Sequence, residues 1–329
     1  MTEPLRIGIF GTGRAAHAWA GAVAASPEMR LVACASRRPG SGAEFASAHR
    51  CAAVEVEQMA AAPDIDAVIV ATEPACREPA LAAARAGKHI LVEKPLAASL
   101  PQARALVAAC ASAGVVGSVV SQRRFDPSWA EMLGQVEGGQ IGRPLHAAAF
   151  LHKCRSPAYF DEGNGWHRKP EGGVVLNLLI HGIDRMLQLF GPAAAVQAEG
   201  HDDEAGICRR AALMIHFVGG ATAFLCGATD AERDLGETLT VTGTRGTLEL
   251  RDEARPAARK SPFALFGRPA AAAAPDSRQA QLADFAAAIR TGRPPAVPLA
   301  AGLDALEVGL AALLAMKTGA RVSLPLTEA

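Results

Sequence analysis

The chain is poor in aromatic residues and has no excess of either charge. Aromatics make up 5% of its 329 residues, with one tyrosine, Tyr159, and three tryptophans. Lysine plus arginine and aspartate plus glutamate both total 33, so the formal net charge is zero. That balance leaves no electrostatic footprint for nucleic acid or an anionic membrane surface. The seven cysteines (Cys34, Cys51, Cys76, Cys110, Cys154, Cys208, Cys226) are odd in number and never spaced C-x-x-C. They read as reduced, small apolar residues, so neither disulfides nor a metal site is expected. The start of the chain runs straight into a strand-like segment with no signal peptide, and Arg, Gly and Pro interrupt the Ala-rich stretches. A cytoplasmic protein with no membrane span is the expectation.

What is present suits two domains of ordinary size, since half of the residues are hydrophobic. Leu5 to Phe10 reads as a buried strand, followed by Gly11-Thr12-Gly13-Arg14-Ala15-Ala16 and a helical pattern to about Ala25. Strand, glycine turn and helix in that order form a dinucleotide cradle. Gly11 permits the turn, Gly13 lets a pyrophosphate approach, and Ala16 allows close helix–strand packing. The second strand, Leu31 to Ala35, ends in Ser36-Arg37-Arg38. A carboxylate there would hold a ribose 2′-hydroxyl, whereas a hydroxyl and two guanidiniums attract a 2′-phosphate. NADP(H) is therefore expected over NAD(H), the alternative being two solvated loop arginines.

Further strands at Ala67–Ala71, His89–Val92 and Val115–Val120 alternate with helices at Pro79–Ala86 and Leu100–Ala113. That alternation predicts a doubly wound parallel sheet closing near residue 123. The Ala67–Ala71 strand leads to Thr72, and the next one ends in Glu93-Lys94-Pro95. Proline restricts the residue before it, so Lys94 sits at a stiff strand exit, on the edge where open α/β sheets bind ligands. A solvated loop lysine is the plainer reading.

Residues 124–329 are expected to form an α+β substrate-binding domain around a large, open, mostly antiparallel sheet. Strands are expected at Pro144–Lys153, Ala212–Phe217, Ala221–Leu225, Thr238–Val241 and Thr247–Leu250, with turns at Gly219-Gly220 and Thr244-Arg245-Gly246. Residues 251–277 read as an irregular connection, and Gln279–Arg290 and Leu303–Lys317 as helices, the last of which can pack back on the first domain. The loop after the first strand holds Tyr159, Phe160, Asp161, Asn164, Trp166, His167 and Arg168. Such aromatic and polar residues suit a small polyol, but they also occur in plain loops. Gly172-Gly173 opens a helix to Phe190 that carries Asn177, His181 and Asp184 on one face of an otherwise apolar segment. A polar stripe on a buried helix is costly unless paired or used.

With these residues in place, the chain resembles the Gfo/Idh/MocA family of NAD(P)-dependent oxidoreductases, the glucose-fructose oxidoreductase and inositol dehydrogenase group. The anchors are the 11–16 turn, Ala86-Gly87-Lys88-His89 running into Glu93-Lys94-Pro95, Arg123-Arg124-Phe125, Gly142-Arg143-Pro144, and Gly172-Gly173 with Asn177, His181 and Asp184. Asp284-Phe285 through Gly292-Arg293-Pro294-Pro295 adds to them. The resemblance implies a Rossmann domain and hydride transfer between nicotinamide and a hydroxyl or carbonyl carbon of a sugar, sugar derivative or polyol. It implies that Lys94 orients the substrate oxygen, that His181 exchanges its proton, and that Asn177 belongs to the same catalytic group. Gly11, Thr12, Gly13, Arg14, Ala15, Ser36, Arg37, Arg38, Thr72, Glu93 and Lys94 are the expected cofactor contacts. Arg124, Trp166, Arg168 and Asp184 are the expected substrate contacts. A homodimer or homotetramer through the second sheet is expected.

Three departures stand out. The family usually has Thr-Pro followed by His where Thr72-Glu73-Pro74-Ala75-Cys76-Arg77 stands; many members have Asp in place of Asn177; and Ser36-Arg37-Arg38 differs from NAD-type members. Two other functions stay open: a redox-neutral, nicotinamide-dependent glycosidase, and a non-catalytic sensor of the same fold.

Overall fold

The computed structural model describes residues 3–38, 40–169, 172–252 and 276–327. The chain first alternates strands and helices: β1 (Leu5–Phe10), α1 (Arg14–Ala24), β2 (Met29–Ala35), α2 (Ser41–His49), β3 (Ala52–Ala53), α3 (Val56–Ala61), β4 (Ala67–Val70), α4 (Glu78–Arg85), β5 (His89–Val92), α5 (Leu100–Ala113) and β6 (Gly117–Val119). The six strands form a parallel sheet in the order β3-β2-β1-β4-β5-β6. Both faces are covered, which is why Ile7–Phe10, Ala67–Val70 and Ile90–Val92 are buried without alternation. Ile7, Ile9, Ile69 and Leu91 point into a core shared with Trp19 of α1. Phe10, Val68, Val70, Ile90 and Val92 point the other way, into a core shared with Met59 of α3 and Leu106 of α5.

The second half contributes α6 (Pro127–Glu137), β7 (Pro144–His152), α7 (Pro157–Asp161) and a helix in two parts. Val175–Leu179 is a wide π turn that continues as α8 (Ile180–Phe190). Then follow β8 (Ala193–Asp202), β9 (Cys208–Phe217), β10 (Thr222–Ala228), β11 (Gly236–Gly243), β12 (Thr247–Asp252), α9 (Ser277–Thr291), α10 (Leu299–Thr318) and β13 (Val322–Ser323). The second sheet runs β12-β11-β7-β10-β9-β8-β13. Its pairs are antiparallel except β7 with β10. Ala149, Leu213, Leu225 and Val241 are buried on the face covered by α8. On the opposite face Phe150 is 41% exposed.

Two late helices join the halves. Leu282, Phe285 and Ala286 of α9 complete the core around Ile7 and Trp19. Helix α10 packs against β8 and α8 on one side and α5 and β6 on the other. It approaches the π turn so closely that a Cβ on Gly309 would lie 2.3 Å from Leu176 Cδ2. The sequence expectation of no membrane-length segment is corrected here. α10 has 20 residues at a mean hydropathy of 1.8, enough by length and composition to cross a bilayer. In this fold half of it is buried against protein.

Several elements carry no clear sequence signal: α2, α3, α6 and β8, along with the two-residue β3 and β13. The helix expected without interruption from residue 174 to 190 contains the π turn. The expected irregular connection is narrower at its ends, since β12 reaches Asp252 and α9 begins at Ser277. Residues 253–275 lie outside the described residues.

Candidate active site

Strand register sets the floor of the site. Phe10 pairs with Ala35 and Val70, and Val70 with Val92. The residues that follow β2, β1, β4 and β5 therefore leave the sheet at one level: Ser36, Gly11, Ala71 and Glu93. The order of the sheet reverses between β1 and β4, and the crevice at such a switch point is where these folds bind ligands. A cavity of about 790 Å³ opens there. Gly11, Thr12, Gly13, Arg14, Ala15, Ser36, Arg37, Arg38, Thr72, Glu93 and Lys94 all line it, as do Asn177, His181 and Trp166 from the second half.

The glycine turn fits a dinucleotide. Gly11 has φ +98°, and a Cβ there would lie 2.7 Å from the Ala71 carbonyl oxygen. Glycine is required at that position on both counts. Nothing stands within 4 Å of a Cβ position on Gly13, so the α1 N-terminus is open to a phosphate. At the end of β2, Thr12 Oγ1 donates to Ser41 Oγ at 3.1 Å, and the Ser36 and Ser41 hydroxyls are 2.8 Å apart. Arg37 and Arg38 are exposed beside this hydroxyl cluster.

Lys94 leaves β5 through a cis peptide bond to Pro95. The Glu93 carboxylate accepts from the buried Trp19 indole at 2.7 Å and from the Lys94 backbone N–H at 3.0 Å. The Lys94 ammonium donates to the Asn177 carbonyl at 2.7 Å and to its side-chain oxygen at 3.0 Å. Asn177 lies in the π turn, a distortion that releases backbone carbonyls from the regular helical ladder. Burial holds the Lys94 ammonium below the ordinary lysine range; Glu93 opposes this, while Arg155 and Arg14 add to it. His181 lies one turn further on, and its imidazole makes no hydrogen bond to another described residue. Burial pushes its pKa well down, and Lys94, Arg123, Arg185 and Arg278 push the same way. It is therefore a neutral imidazole at neutral pH.

The loop after β7 supplies an aromatic wall. The Asn177 amide donates to the Tyr159 hydroxyl at 2.7 Å and lies 3.3 Å from His167 Nδ1. The His167 ring is stacked between Tyr159 and Trp166, with centroids 4.3 and 4.0 Å away. Burial, with Lys94, Arg14 and Arg155, lowers the His167 pKa to about 4. The Arg14 and Arg155 guanidiniums both lie against the Tyr159 ring, 4.8 and 5.1 Å from its centroid.

Three of the four expected substrate residues lie outside this cavity. Asp184 is buried and accepts from Arg124 at 2.6 and 2.7 Å and from Ser121 at 2.5 Å. Its carboxylate is spent on holding α8 against the end of β6. Arg168 is exposed and pairs with Asp161 at 2.6 Å. Trp166 alone of the four lines the cavity.

Sequence reasoning did not single out Arg77, whose side chain ties two site loops together. Its only signal was a misplaced charge: a cation at the N-cap of α4 opposes the helix dipole there. Tyr159 and His167 stand in the aromatic loop after β7, but their contact with Asn177 depends on how the loop folds back. Lys153 and Arg155 lie just beyond β7 and carried no motif.

The first half of this site, residues 5–121, matches the family described as "Oxidoreductase family, NAD-binding Rossmann fold". Residues 129–249 match the GFO/IDH/MocA C-terminal domain. The chain belongs to the Gfo/Idh/MocA family of oxidoreductases. The family's first domain binds a nicotinamide cofactor, which makes NAD(P)-dependent oxidation and reduction its class of chemistry. Among curated relatives, the 1,5-anhydro-D-fructose reductase of Ensifer adhaerens is 35% identical over 199 residues, a match covering 58% of this chain and 59% of that one. The inositol 2-dehydrogenase of Rhizobium meliloti is 26% identical and the match covers 76% of each chain. Among solved structures, the WlbA dehydrogenase of Bordetella pertussis, in complex with NADH and UDP-GlcNAcA, has a TM-score of 0.84 at 23% identity. That match covers 99% of this chain and 100% of the other.

Proposed function

We propose that the chain transfers a hydride between NADP(H) and a sugar-like hydroxyl or carbonyl carbon held between Lys94, His181 and the Tyr159–His167–Trp166 wall. The observation that carries this reading is that the Lys94 ammonium and the neutral His181 imidazole, without a hydrogen-bond partner among the described residues, face one cavity that continues to the glycine turn. Bound nicotinamide would supply the hydride acceptor or donor. In the oxidative direction His181 takes the hydroxyl proton as the carbon loses hydride, and in reduction it returns that proton. Its lowered pKa leaves it unprotonated, and so free to accept a proton, near neutral pH. Lys94 holds the substrate oxygen and stabilises the negative charge that develops on it. Asn177, a neutral amide, holds Lys94 and takes no proton. Residues 1–123 carry the cofactor in this reading and 124–329 the substrate.

NADP(H) is favoured over NAD(H) by the composition of the β2 exit. Ser36, Arg37, Arg38 and Ser41 offer hydroxyls, cations and the N-terminal end of α2, while the acidic lining residues Glu73, Glu93 and Glu162 belong to other loops. KM values for the two cofactors test this; use of NAD at least about tenfold better than NADP would overturn it. The substrate class is tested by following reduced nicotinamide absorbance with 1,5-anhydro-D-fructose, myo-inositol and a set of aldoses. Cofactor oxidation or reduction supports the oxidoreductase. Glycoside cleavage with no net change in cofactor supports the redox-neutral alternative.

We also propose self-association through the open face of the second sheet, where Phe150 is 41% exposed and packs edge-on against Phe224. A monomer by light scattering at micromolar concentration would refute it.

A further inference from the structure

Arg77 is 1% exposed, and each of its three guanidinium nitrogens is used. Nε donates to the Leu96 carbonyl at 2.7 Å. Nη1 donates to the Thr72 carbonyl, the Thr72 hydroxyl and the Glu73 carbonyl at 3.0, 3.1 and 3.0 Å. Nη2 donates to the carbonyls of Glu93 and Pro95 at 3.0 and 2.9 Å. The last two belong to the residues on either side of Lys94. One buried cation therefore fixes both backbone groups flanking the lysine and, through its other amino group, the loop after β4 that lines the same cavity.

An arginine in this place is expensive. Burial lowers its pKa to about 10, although Glu93, Cys76 and Glu78 oppose the shift. It stays charged at neutral pH without a carboxylate in hydrogen-bond contact, and it stands at the N-cap of α4, where the helix dipole repels it. A neutral side chain would cap the helix more cheaply. What only a guanidinium supplies is a planar set of donors spanning two loops at once. A lysine at 77 has one nitrogen and cannot reach both.

We propose that Arg77 is a positioning residue for hydride transfer: by clamping the Glu93 and Pro95 carbonyls to the Thr72–Glu73 loop, it aims Lys94 across the cleft at Asn177 and the substrate oxygen. This rests on the reading of Lys94 given above, so the test has one arm that needs no turnover. Arg77→Lys keeps the charge, and circular dichroism and a melting curve establish that it is folded. A crystal structure of folded Arg77→Lys is expected to show the Lys94 ammonium out of hydrogen-bond reach of Asn177. Retention of both Lys94–Asn177 contacts overturns the proposal whether or not a substrate is known.

The second arm uses a panel member that the wild-type enzyme turns over. Arg77→Lys is expected to lower kcat about tenfold or more while leaving the KM for NADPH within about twofold. A Lys94→Met enzyme should lose nothing further when Arg77→Lys is added, because the clamp has no lysine left to aim. Equal losses in the wild-type and Lys94→Met backgrounds would reduce Arg77 to a purely structural role and overturn the proposal. Should Arg77→Lys fail to fold, Arg77→Gln, which keeps donors to one loop, takes its place in both arms with the same expectations.

Discussion

Lys94 and Asn177 are joined twice: one ammonium donates to both the backbone carbonyl and the side-chain oxygen of the same asparagine. One residue stands at the exit of β5 in the first sheet and the other in a π turn packed against the second. The cleft is therefore a shared object. The first half supplies the lysine and the glycine turn, and the second supplies the residue that receives the lysine and the imidazole one turn beyond it.

That pairing makes the charge at position 177 consequential. Asn177→Asp places a carboxylate against the Lys94 ammonium and near His167. Opposite charge favours the protonated form of nearby bases. The acid limb of kcat/KM for alcohol oxidation should therefore move to higher pH, by about one unit. A pH–rate profile checks it, and an unchanged limb would mean that residue 177 does not set the electrostatics of the proton acceptor.

Arg124 and Asp184 form a closed ion pair, and a structural role for it predicts a loss of stability rather than of substrate binding. Its side chains are 13% and 5% exposed, and Asp184 also accepts from Ser121. Asp184→Asn leaves Arg124 without its counter-charge in a closed setting, which costs about 3 kcal/mol. Denaturant midpoints should fall accordingly while the substrate KM stays within about twofold. A large KM increase with unchanged stability would return Asp184 to the substrate.

His167 gives a pH signature in stability. Its pKa falls from 6.5 to about 4 on folding. Below 6.5 the unfolded chain takes up a proton that folded His167 refuses, so stability falls with pH between 6.5 and about 4. His167→Gln removes that term and should lose less stability over the same window. Melting curves at several pH values measure it, and parallel curves for the two proteins would contradict it.

Much of the fold was legible because local and global signals agree in the first half. The apolar run Leu5 to Phe10 next to Gly11-Thr12-Gly13 allows little but a strand and a turn, and α5 spans Leu100–Ala113 as expected. The second half was harder. β8 is mostly polar after Val196, since it runs out toward the edge of the sheet, and its pairing with β9 is a long-range choice that periodicity does not reveal. The site divided in the same way. Lys94, Asn177 and His181 were visible as polar residues set in apolar segments. Asp184 satisfied the same rule for another reason, a buried ion pair, so a polar stripe alone does not separate the two. Arg77 was hidden because burial of an arginine is decided by carbonyls from two distant loops.

The central claim is that hydride transfer takes place in the cleft between Lys94 and His181. The most direct measurement is single-turnover oxidation or reduction of bound cofactor by Lys94→Met, with cofactor affinity measured separately by fluorescence. The expected rate is at least about 100-fold below that of the wild-type protein, with cofactor binding nearly unchanged. Near-normal turnover by Lys94→Met would contradict it.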